Sequence, residues 1–319
     1  MGITHARSIL KHPGAQLVAI VDLDPEKALD NLGQEAGNLD TGALKKEDIA
    51  GIHTYASLEK CLAEQKPDAC VLSVHTDLHY AIARQILEAG VHVLVEKPLV
   101  LDPSAGRKLI DLASDRELLL MVAHVVRFMP PYLKLKHWIE SGEFGALKWL
   151  SMTRFTGLPV WGQWREKQRD FGSTGGALFD LAIHDIDFVQ WVLGKPDHIE
   201  STILPGKLSA QDYVCAQWKY KSGTAVKIEG GNRFHQQFPF EAGFTANFET
   251  ASIKYSSSNS ARILVCTDTE TREEPAGDAM EGYLAELDYF MECMERKIRP
   301  VKCLPESANQ SIQICHEHL

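Results

Sequence analysis

Lys97 occupies a position in this 319-residue sequence from which it could stabilise charge on a substrate oxygen. It follows the apolar run VHVLV and precedes Pro98, which restricts its backbone toward an extended conformation at the end of a predicted strand. An ammonium group held there can donate hydrogen bonds into a cleft. The alternative is that Glu-Lys-Pro forms an ordinary solvated turn between a strand and a loop.

Asp180, His184 and Asp187 are spaced i, i+4 and i+7 within residues 176–193, GALFDLAIHDIDFVQWVL. On an α-helix this spacing places the three side chains on one face. A neighbouring carboxylate fixes the tautomer of a histidine and raises its basicity, which suits a general base that takes a proton from a hydroxyl. Two alternatives stay open, a polar stripe with a helix salt bridge and a metal site, although no second nitrogen or sulfur ligand is evident.

Residues 1–126 alternate short apolar runs with amphipathic segments, a pattern typical of βα units whose parallel strands are buried on both faces. Strands are predicted at residues 16–21, 52–55, 69–74, 91–95 and 118–125. Helices are predicted to begin near residues with N-cap side chains, namely Asp24, Ser57, Asp77 and Asp102. The pattern predicts a doubly wound α/β domain.

Residues 127–319 show a different texture, with alternating polar and apolar residues in stretches such as LKWLSMTRF and DYVCAQWKY. Such alternation indicates half-exposed antiparallel strands. Helices are predicted at residues 176–193 and 280–295. We therefore expect a second, α+β domain that begins at residue 127.

Strand ends of an open α/β sheet are the usual place for ligands. Asp22 follows the run QLVAIV, where an acidic residue in a dinucleotide-binding domain bonds the ribose hydroxyls and repels a 2′-phosphate. This favours NAD over NADP, unless Asp22 only caps the following helix.

Composition excludes several other classes of protein. With 33 Lys and Arg against 43 Asp and Glu, the net charge of −10 argues against nucleic acid and anionic membranes as partners. No apolar run reaches the roughly 20 residues that span a bilayer, and no targeting signal is visible. The 7 cysteines contain no C-x-x-C pair, which indicates reduced thiols in the cytoplasm and no zinc site.

The motifs VAIVD, VHVLVEKP and GSTGGALFDLAIHDID, in this order, closely resemble the glucose-fructose oxidoreductase, inositol dehydrogenase and MocA (Gfo/Idh/MocA) family over nearly the whole chain. The resemblance implies a Rossmann-type domain followed by an α+β domain with a large, mainly antiparallel open sheet. It implies an NAD(P)-dependent dehydrogenase or reductase acting on CH–OH groups of a sugar, cyclitol or related polyol, or on the keto form. A homodimer or homotetramer is expected.

The resemblance also assigns roles to residues. His184 would act as acid and base on the substrate oxygen, Asp180 would orient it, and Lys97 would bond the same oxygen. The Lys97–Pro98 peptide bond is expected to be cis. Cofactor contacts are implied for Gly2, Asp22, Ser73, His75, His79, Glu96, Lys97, Trp164, Arg165 and Tyr283.

One feature departs from the family pattern. A first strand and a G-x-G-x-x-G loop normally precede the first helix, and only Gly2-Ile-Thr-His5 corresponds to them here. We expect either that the sequence is incomplete at its N-terminus or that the sheet lacks its middle strand and binds dinucleotide poorly. In the second case the chain would be a non-catalytic, dinucleotide-sensing or regulatory relative.

Overall fold

A computed structural model of the chain describes residues 1–32, 46–158, 174–259 and 262–319. In the described part the helices are α1 Gly2–Lys11, α2 Ala28–Leu32, α3 Leu58–Gln65, α4 Thr76–Glu88, α5 Pro103–Asp115, α6 Pro130–Ser141, α7 Ile183–Leu193, α8 Ala279–Arg296 and α9 Pro305–Glu317. The strands are β1 Ala19–Val21, β2 His53–Tyr55, β3 Ala69–Leu72, β4 His92–Glu96, β5 Leu120–Ala123, β6 Leu147–Gly157, β7 His198–Leu204, β8 Tyr213–Lys219, β9 Ala225–Phe234, β10 Glu241–Phe248, β11 Ser252–Ser256, β12 Arg262–Cys266 and β13 Thr271–Pro275.

The parallel strands of the N-terminal part fall into two groups. Strands β3, β4 and β5 pair in that order, and β1 pairs with β2 in a separate sheet. The middle of β4 is fully buried, as expected for a parallel strand covered on both faces. The doubly wound α/β prediction is confirmed, and the parallel sheet is divided at its middle.

Four of these strands, β1, β2, β3 and β5, are shorter than the predicted runs, and two of them pair over only half of the run. The run 16–21 pairs only at Ala19–Val21, and the run 118–125 pairs only at Leu120–Ala123 before a 3₁₀ turn begins at Val125. Apolar residues signal burial rather than pairing, so a buried turn extends the run beyond the strand.

Helix starts follow the predicted caps in two of four cases. The Ser57 hydroxyl accepts a hydrogen bond from the Lys60 N–H, and the Asp102 carboxylate accepts one from the Ser104 N–H. The other two helices start elsewhere: α4 begins at Thr76, one residue before Asp77, and α2 begins at Ala28, beyond the turn at Asp24.

The C-terminal part is built on a sheet whose described strands run in the order β13-β12-β11-β10-β6-β9-β8-β7. Neighbours are antiparallel except β6 and β9, which are parallel. Along β9, Val226 and Ile228 are buried against the helices while Lys227 and Glu229 face outward, so the predicted alternation is confirmed. Helices cover the inner face of this mainly antiparallel sheet.

The segment predicted as one α-helix over 176–193 has two parts. Leu178–Ala182 forms a π-helical turn, and α7 follows it directly. Two glycines with positive φ precede it, Gly175 at 85° and Gly176 at 66°, and a Cβ on Gly176 would collide with the Ser209 hydroxyl. Only glycine suits these two positions, so Gly175 and Gly176 fix where the π-helical turn starts.

Candidate functional site

Lys97 and Asp180 meet although they come from different parts of the fold. Lys97 follows β4, and its Nζ donates to the backbone oxygen of Asp180 at 2.6 Å and to the carboxylate at 2.9 Å. The Lys97 side chain is 10% exposed, and the Lys97–Pro98 peptide bond is cis, as expected. The end of a parallel strand and the π-helical turn thus form one site.

His184 lies in the first turn of α7, and its Nδ1 is buried without a hydrogen-bond partner among the described residues. Burial lowers the pKa of His184 well below its usual value, and the charges of Lys97 and Arg154 act in the same direction. The ring is therefore neutral near pH 7, which is the form that accepts a proton, but these surroundings weaken its basicity rather than raise it as expected beside a carboxylate.

The Asp180 carboxylate is not bonded to His184 in this structure, and its role in orienting His184 stays a prediction. The Asp180 carboxylate bonds Lys97, and no described hydrogen bond joins it to the imidazole. The physical reason is the π-helical turn, whose i→i+5 bonds widen the turn, so residues four apart no longer stack as on an α-helix.

Asp187, three residues after His184 on α7, is held in a buried ion pair. It is completely buried and accepts two hydrogen bonds from Arg127, at 2.7 and 2.6 Å, and a third from Ser311 at 2.8 Å. Burial alone would raise the pKa of Asp187, but the Arg127 charge outweighs it and the pKa is lowered. Asp187 thus joins α7 to α9 and to the turn after β5.

A second buried ion pair holds the backbone beside His184. Arg154 of β6 bonds both carboxylate oxygens of Asp185, at 3.1 and 2.9 Å. Since Asp185 directly follows His184, this bidentate contact fixes the first turn of α7 against the sheet.

Glu96 is buried between Lys97 and helix α1. One carboxylate oxygen lies 2.7 Å from His5 Nε2, and the other accepts the Lys97 N–H at 3.1 Å. Burial alone would raise the pKa of Glu96, but the hydrogen bond and charge of His5, with the charge of Lys97, lower it to about 2. The Tyr283 ring packs edge-on to His5 at 6.1 Å, so the structure groups Glu96 and Tyr283 around one histidine.

Gly2 and Ser73, both predicted to contact a cofactor, are neighbours. Gly2 is the first residue of α1, and a Cβ added there would lie 3.0 Å from the Ser73 hydroxyl. His75 is exposed at the N-cap position of α4, next to this pair in sequence. The structure therefore brings the N-terminus of α1 to the end of β3.

Of two further predicted cofactor contacts, His79 lies in the interior and Asp22 lies on the surface. His79 is buried, and its two ring nitrogens lie 2.8 Å from the Pro98 oxygen and 3.1 Å from the Val74 oxygen, so it ties α4 to the turn after Lys97. Asp22 is exposed after β1, and its carboxylate accepts the Asp24 N–H at 2.9 Å. Trp164 and Arg165 lie outside the described residues.

Two buried polar side chains were not predicted from the sequence. Asn232 of β9 has one side-chain oxygen, and Glu286 of α8 has both, without a partner in the described part of the chain. Burial raises the pKa of Glu286 well above its usual range. The available signal was their position, because Asn232 continues the inward series of β9 and Glu286 lies on the buried side of α8.

No group of three or more His, Cys, Asp or Glu side chains among the described residues could hold a metal ion. Within the same residues, no helix is long and apolar enough to cross a membrane.

Family models match both parts of the chain. Residues 1–124 match the oxidoreductase family with an NAD-binding Rossmann fold, and residues 132–256 match the GFO/IDH/MocA C-terminal domain.

Curated relatives are about a quarter identical to this chain over the aligned segments. UDP-N-acetylglucosamine 3-dehydrogenase of Acidithiobacillus ferrooxidans is 26% identical over 201 residues, which cover 62% of this chain and 59% of the relative. Inositol 2-dehydrogenase of Rhizobium meliloti is 26% identical over 200 residues, which cover 61% of this chain and 52% of the relative. The chain matches about half the length of the curated relatives.

Solved structures share the fold. Levoglucosan dehydrogenase in complex with NADH and levoglucosan has a TM-score of 0.79 at 17% identity, over 98% of this chain and 91% of that chain. The Acidithiobacillus ferrooxidans dehydrogenase has a TM-score of 0.75 at 21% identity, over 99% and 92%. With family models matched on both parts and the same fold in these structures, the chain belongs to the Gfo/Idh/MocA family of NAD-binding oxidoreductases.

Proposed function

We propose that this chain is an NAD-dependent oxidoreductase that interconverts a CH–OH group of a sugar, cyclitol or related polyol and its keto form. The observation that carries the proposal is the bonding of Lys97 Nζ to Asp180 at 2.6 and 2.9 Å, beside a neutral, buried His184. A cation and a proton acceptor at one strand end suit chemistry on a hydroxyl oxygen.

The residues near the N-terminus of α1 fit a dinucleotide. A side chain at Gly2 would crowd Ser73, so the backbone there stays open to close approach. A helix N-terminus attracts negative charge, which suits a pyrophosphate. The exposed carboxylate of Asp22 favours NAD because it would repel a 2′-phosphate.

Oxidation of a CH–OH group releases one hydride and one proton. When bound, the nicotinamide supplies the hydride acceptor. The neutral His184 ring accepts the hydroxyl proton, and in the reverse direction returns it to the carbonyl oxygen. Lys97 has three ammonium protons, of which Asp180 accepts two, so a third can stabilise charge on the reacting oxygen.

Asp180 then acts on Lys97 rather than on His184. Its backbone oxygen and carboxylate hold the ammonium group in place, and the π-helical turn presents both acceptors on the same side. Asp180 is in this arrangement a positioning residue for the cation.

Assembly and location are part of the same proposal. The outer face of the large sheet includes the partly exposed Trp149, and a second copy packing there would give a homodimer or homotetramer. The 7 cysteines, all in described segments, form no disulfide, which supports a reducing, cytoplasmic location. Light scattering that gives a monomer at micromolar concentration would contradict the assembly.

The test is reduction of NAD by the purified chain with a panel of inositols and aldoses, followed at 340 nm. We expect turnover with at least one polyol and none with hydrophobic alcohols. Absence of turnover with every polyol, in either direction, would contradict the proposal.

A regulatory role is the second candidate, favoured by the division of the parallel sheet into two groups. Such a protein would bind NADH poorly and turn over no polyol. Fluorescence titration with NADH beside the turnover assay separates the two candidates.

A further inference from the structure

We propose that Asn232 is a substrate-binding residue that bonds a second, non-reacting hydroxyl of the polyol. This inference rests on the proposed function and adds a specificity-determining contact to the same site.

The first argument is the position of Asn232 on the inner face of β9. Inward residues alternate along this strand, and Gly230 and Asn232 continue the series begun by Val226 and Ile228. A Cβ on Gly230 would lie 3.6 Å from the Ala182 Cβ, so the strand packs directly under the end of the π-helical turn.

A second contact fixes the direction of the turn over the strand. The Leu178 N–H donates to the Gln211 oxygen at 3.3 Å, while the Asn232 N–H donates to the oxygen of the adjacent Asp212 at 3.0 Å. The turn therefore begins with Leu178 near Gln211, in the neighbourhood of Asn232, and ends with Ala182 above Gly230. Asp180 lies between these two contacts, so the turn that carries the Lys97 acceptors crosses the C-terminal part of β9, which also holds Asn232.

The third argument is the unsatisfied amide. Asn232 is 1% exposed, yet its Oδ1 has no hydrogen-bond partner among the residues described. Buried side-chain oxygens nearly always have a partner, so an orphan in a native protein calls for one. The inward neighbours on β9 are Val, Ile and Gly, so the amide is the exception in an otherwise apolar row.

Asn309 of α9 provides a comparison. Its Oδ1 is also buried without a described partner, but its Nδ2 donates to the Pro103 oxygen at 3.1 Å. A Cβ on Gly106 would collide with the Asn309 amide, which shows that α5 packs closely against it. Asn309 therefore belongs to a helix contact, and it serves as the matched control.

The chemistry of the amide defines the ligand. Oδ1 accepts and Nδ2 donates, which matches a hydroxyl that both donates and accepts. A carboxylate or phosphate offers acceptors alone and would leave Oδ1 unpaired. The group that meets this amide is thus a hydroxyl, which fits the polyol of the proposed function, and a site built this way rejects an analogue that lacks the hydroxyl.

The experiment measures binding and turnover separately. Saturation-transfer NMR gives the affinity for myo-inositol and for glucose in the presence of NADH, and the NAD-reduction assay gives KM and kcat. The proteins are wild type, Asn232→Ala and Asn309→Ala, each checked for folding by its thermal transition. A series of monodeoxy-inositols with the wild-type protein repeats the test without any variant.

We expect Asn232→Ala to weaken polyol affinity and raise KM about tenfold, equivalent to about 1.4 kcal/mol, with a smaller change in kcat. Asn309→Ala should bind polyol like the wild type. One non-reacting position of the deoxy series should show a similar loss. Unchanged affinity in Asn232→Ala overturns the assignment, and would mean that water satisfies the amide.

The two proposals fail in different ways. If Asn232→Ala turns over polyol with the wild-type KM, the assignment of Asn232 is overturned and the oxidoreductase proposal stays intact. Polyol binding that depends on Asn232, without NAD reduction, supports the assignment and contradicts the oxidoreductase. Absence of polyol binding to the wild type overturns both.

Discussion

Replacing Lys97 with methionine should lower kcat about 100- to 1,000-fold while leaving NADH affinity nearly unchanged. Methionine keeps an unbranched apolar stem in the space that the lysine stem occupies, and removes the ammonium group. Without that cation, charge that develops on the substrate oxygen loses its donor.

The size of the effect follows from the surroundings of the ammonium group. The Lys97 side chain is 10% exposed and bonds Asp180 at 2.6 and 2.9 Å, so it is held in place before substrate arrives. A preorganised donor in a partly desolvated site stabilises a developing oxyanion by about 3–4 kcal/mol. Since Asp180 is 38% exposed, water can replace the lost bonds, and we expect only a small loss of stability.

Steady-state NAD reduction gives kcat, and nicotinamide fluorescence gives NADH affinity. Lys134→Met is the control. Lys134 of α6 forms an ion pair with Glu274 of β13 at 2.8 Å, and neither residue belongs to the strand end that carries Lys97. Lys134→Met should leave kcat unchanged. A Lys97→Met protein that turns over polyol at the wild-type rate would remove Lys97 from the site.

Three further perturbations test the supporting contacts. Glu96→Gln should be less stable than the wild type by about 3 kcal/mol near neutral pH, at about 1.4 kcal/mol per unit, because the pKa of Glu96 is lowered from 4.5 to about 2. The stabilisation by ionised Glu96 is fully present above about pH 4.5 and is lost toward pH 2, so the difference in unfolding free energy between wild type and Glu96→Gln should shrink as pH falls. Urea titrations between pH 7 and 3 measure this difference, and a constant value would contradict the reasoning. Asp187→Ala should lose about 3–5 kcal/mol of stability because Arg127 is left buried and unpaired, and a chemical denaturation midpoint close to that of the wild type would refute it. Gly176→Ala should lower kcat and stability because φ at this residue is 66°, whereas Gly194→Ala, at 78° with open space around its Cα, should lose stability and keep kcat.

Patterns of local sequence predicted much of the fold. The short apolar runs located the buried parallel strands, and Ser57 and Asp102 marked helix starts because a capping bond joins residues close in sequence. Alternation along β9 predicted its two faces for the same reason. The rule that strand ends gather ligand-binding groups pointed to Lys97 before the structure placed it beside Asp180.

Features that depend on distant packing could not be predicted. The π-helical turn changes the face on which Asp180 lies, and helix periodicity assumes regular α-helical turns. Asp187 bonds Arg127, which comes from a separate segment, and its spacing from His184 gives no sign of that partner. The missing partner of Asn232 depends on the segments packed around β9, so the sequence pattern indicates a buried position but not an unpaired amide.

The most direct test of the proposed chemistry is to follow the hydrogen that leaves the substrate. Purified protein would be incubated with NAD and a polyol deuterated at the reacting carbon, with His184→Ala in parallel, and the reduced cofactor analysed by NMR. We expect deuterium on the nicotinamide ring with the wild type and a strongly reduced rate with His184→Ala. A reduced cofactor free of deuterium, or no reduction with any polyol, would contradict hydride transfer by this chain.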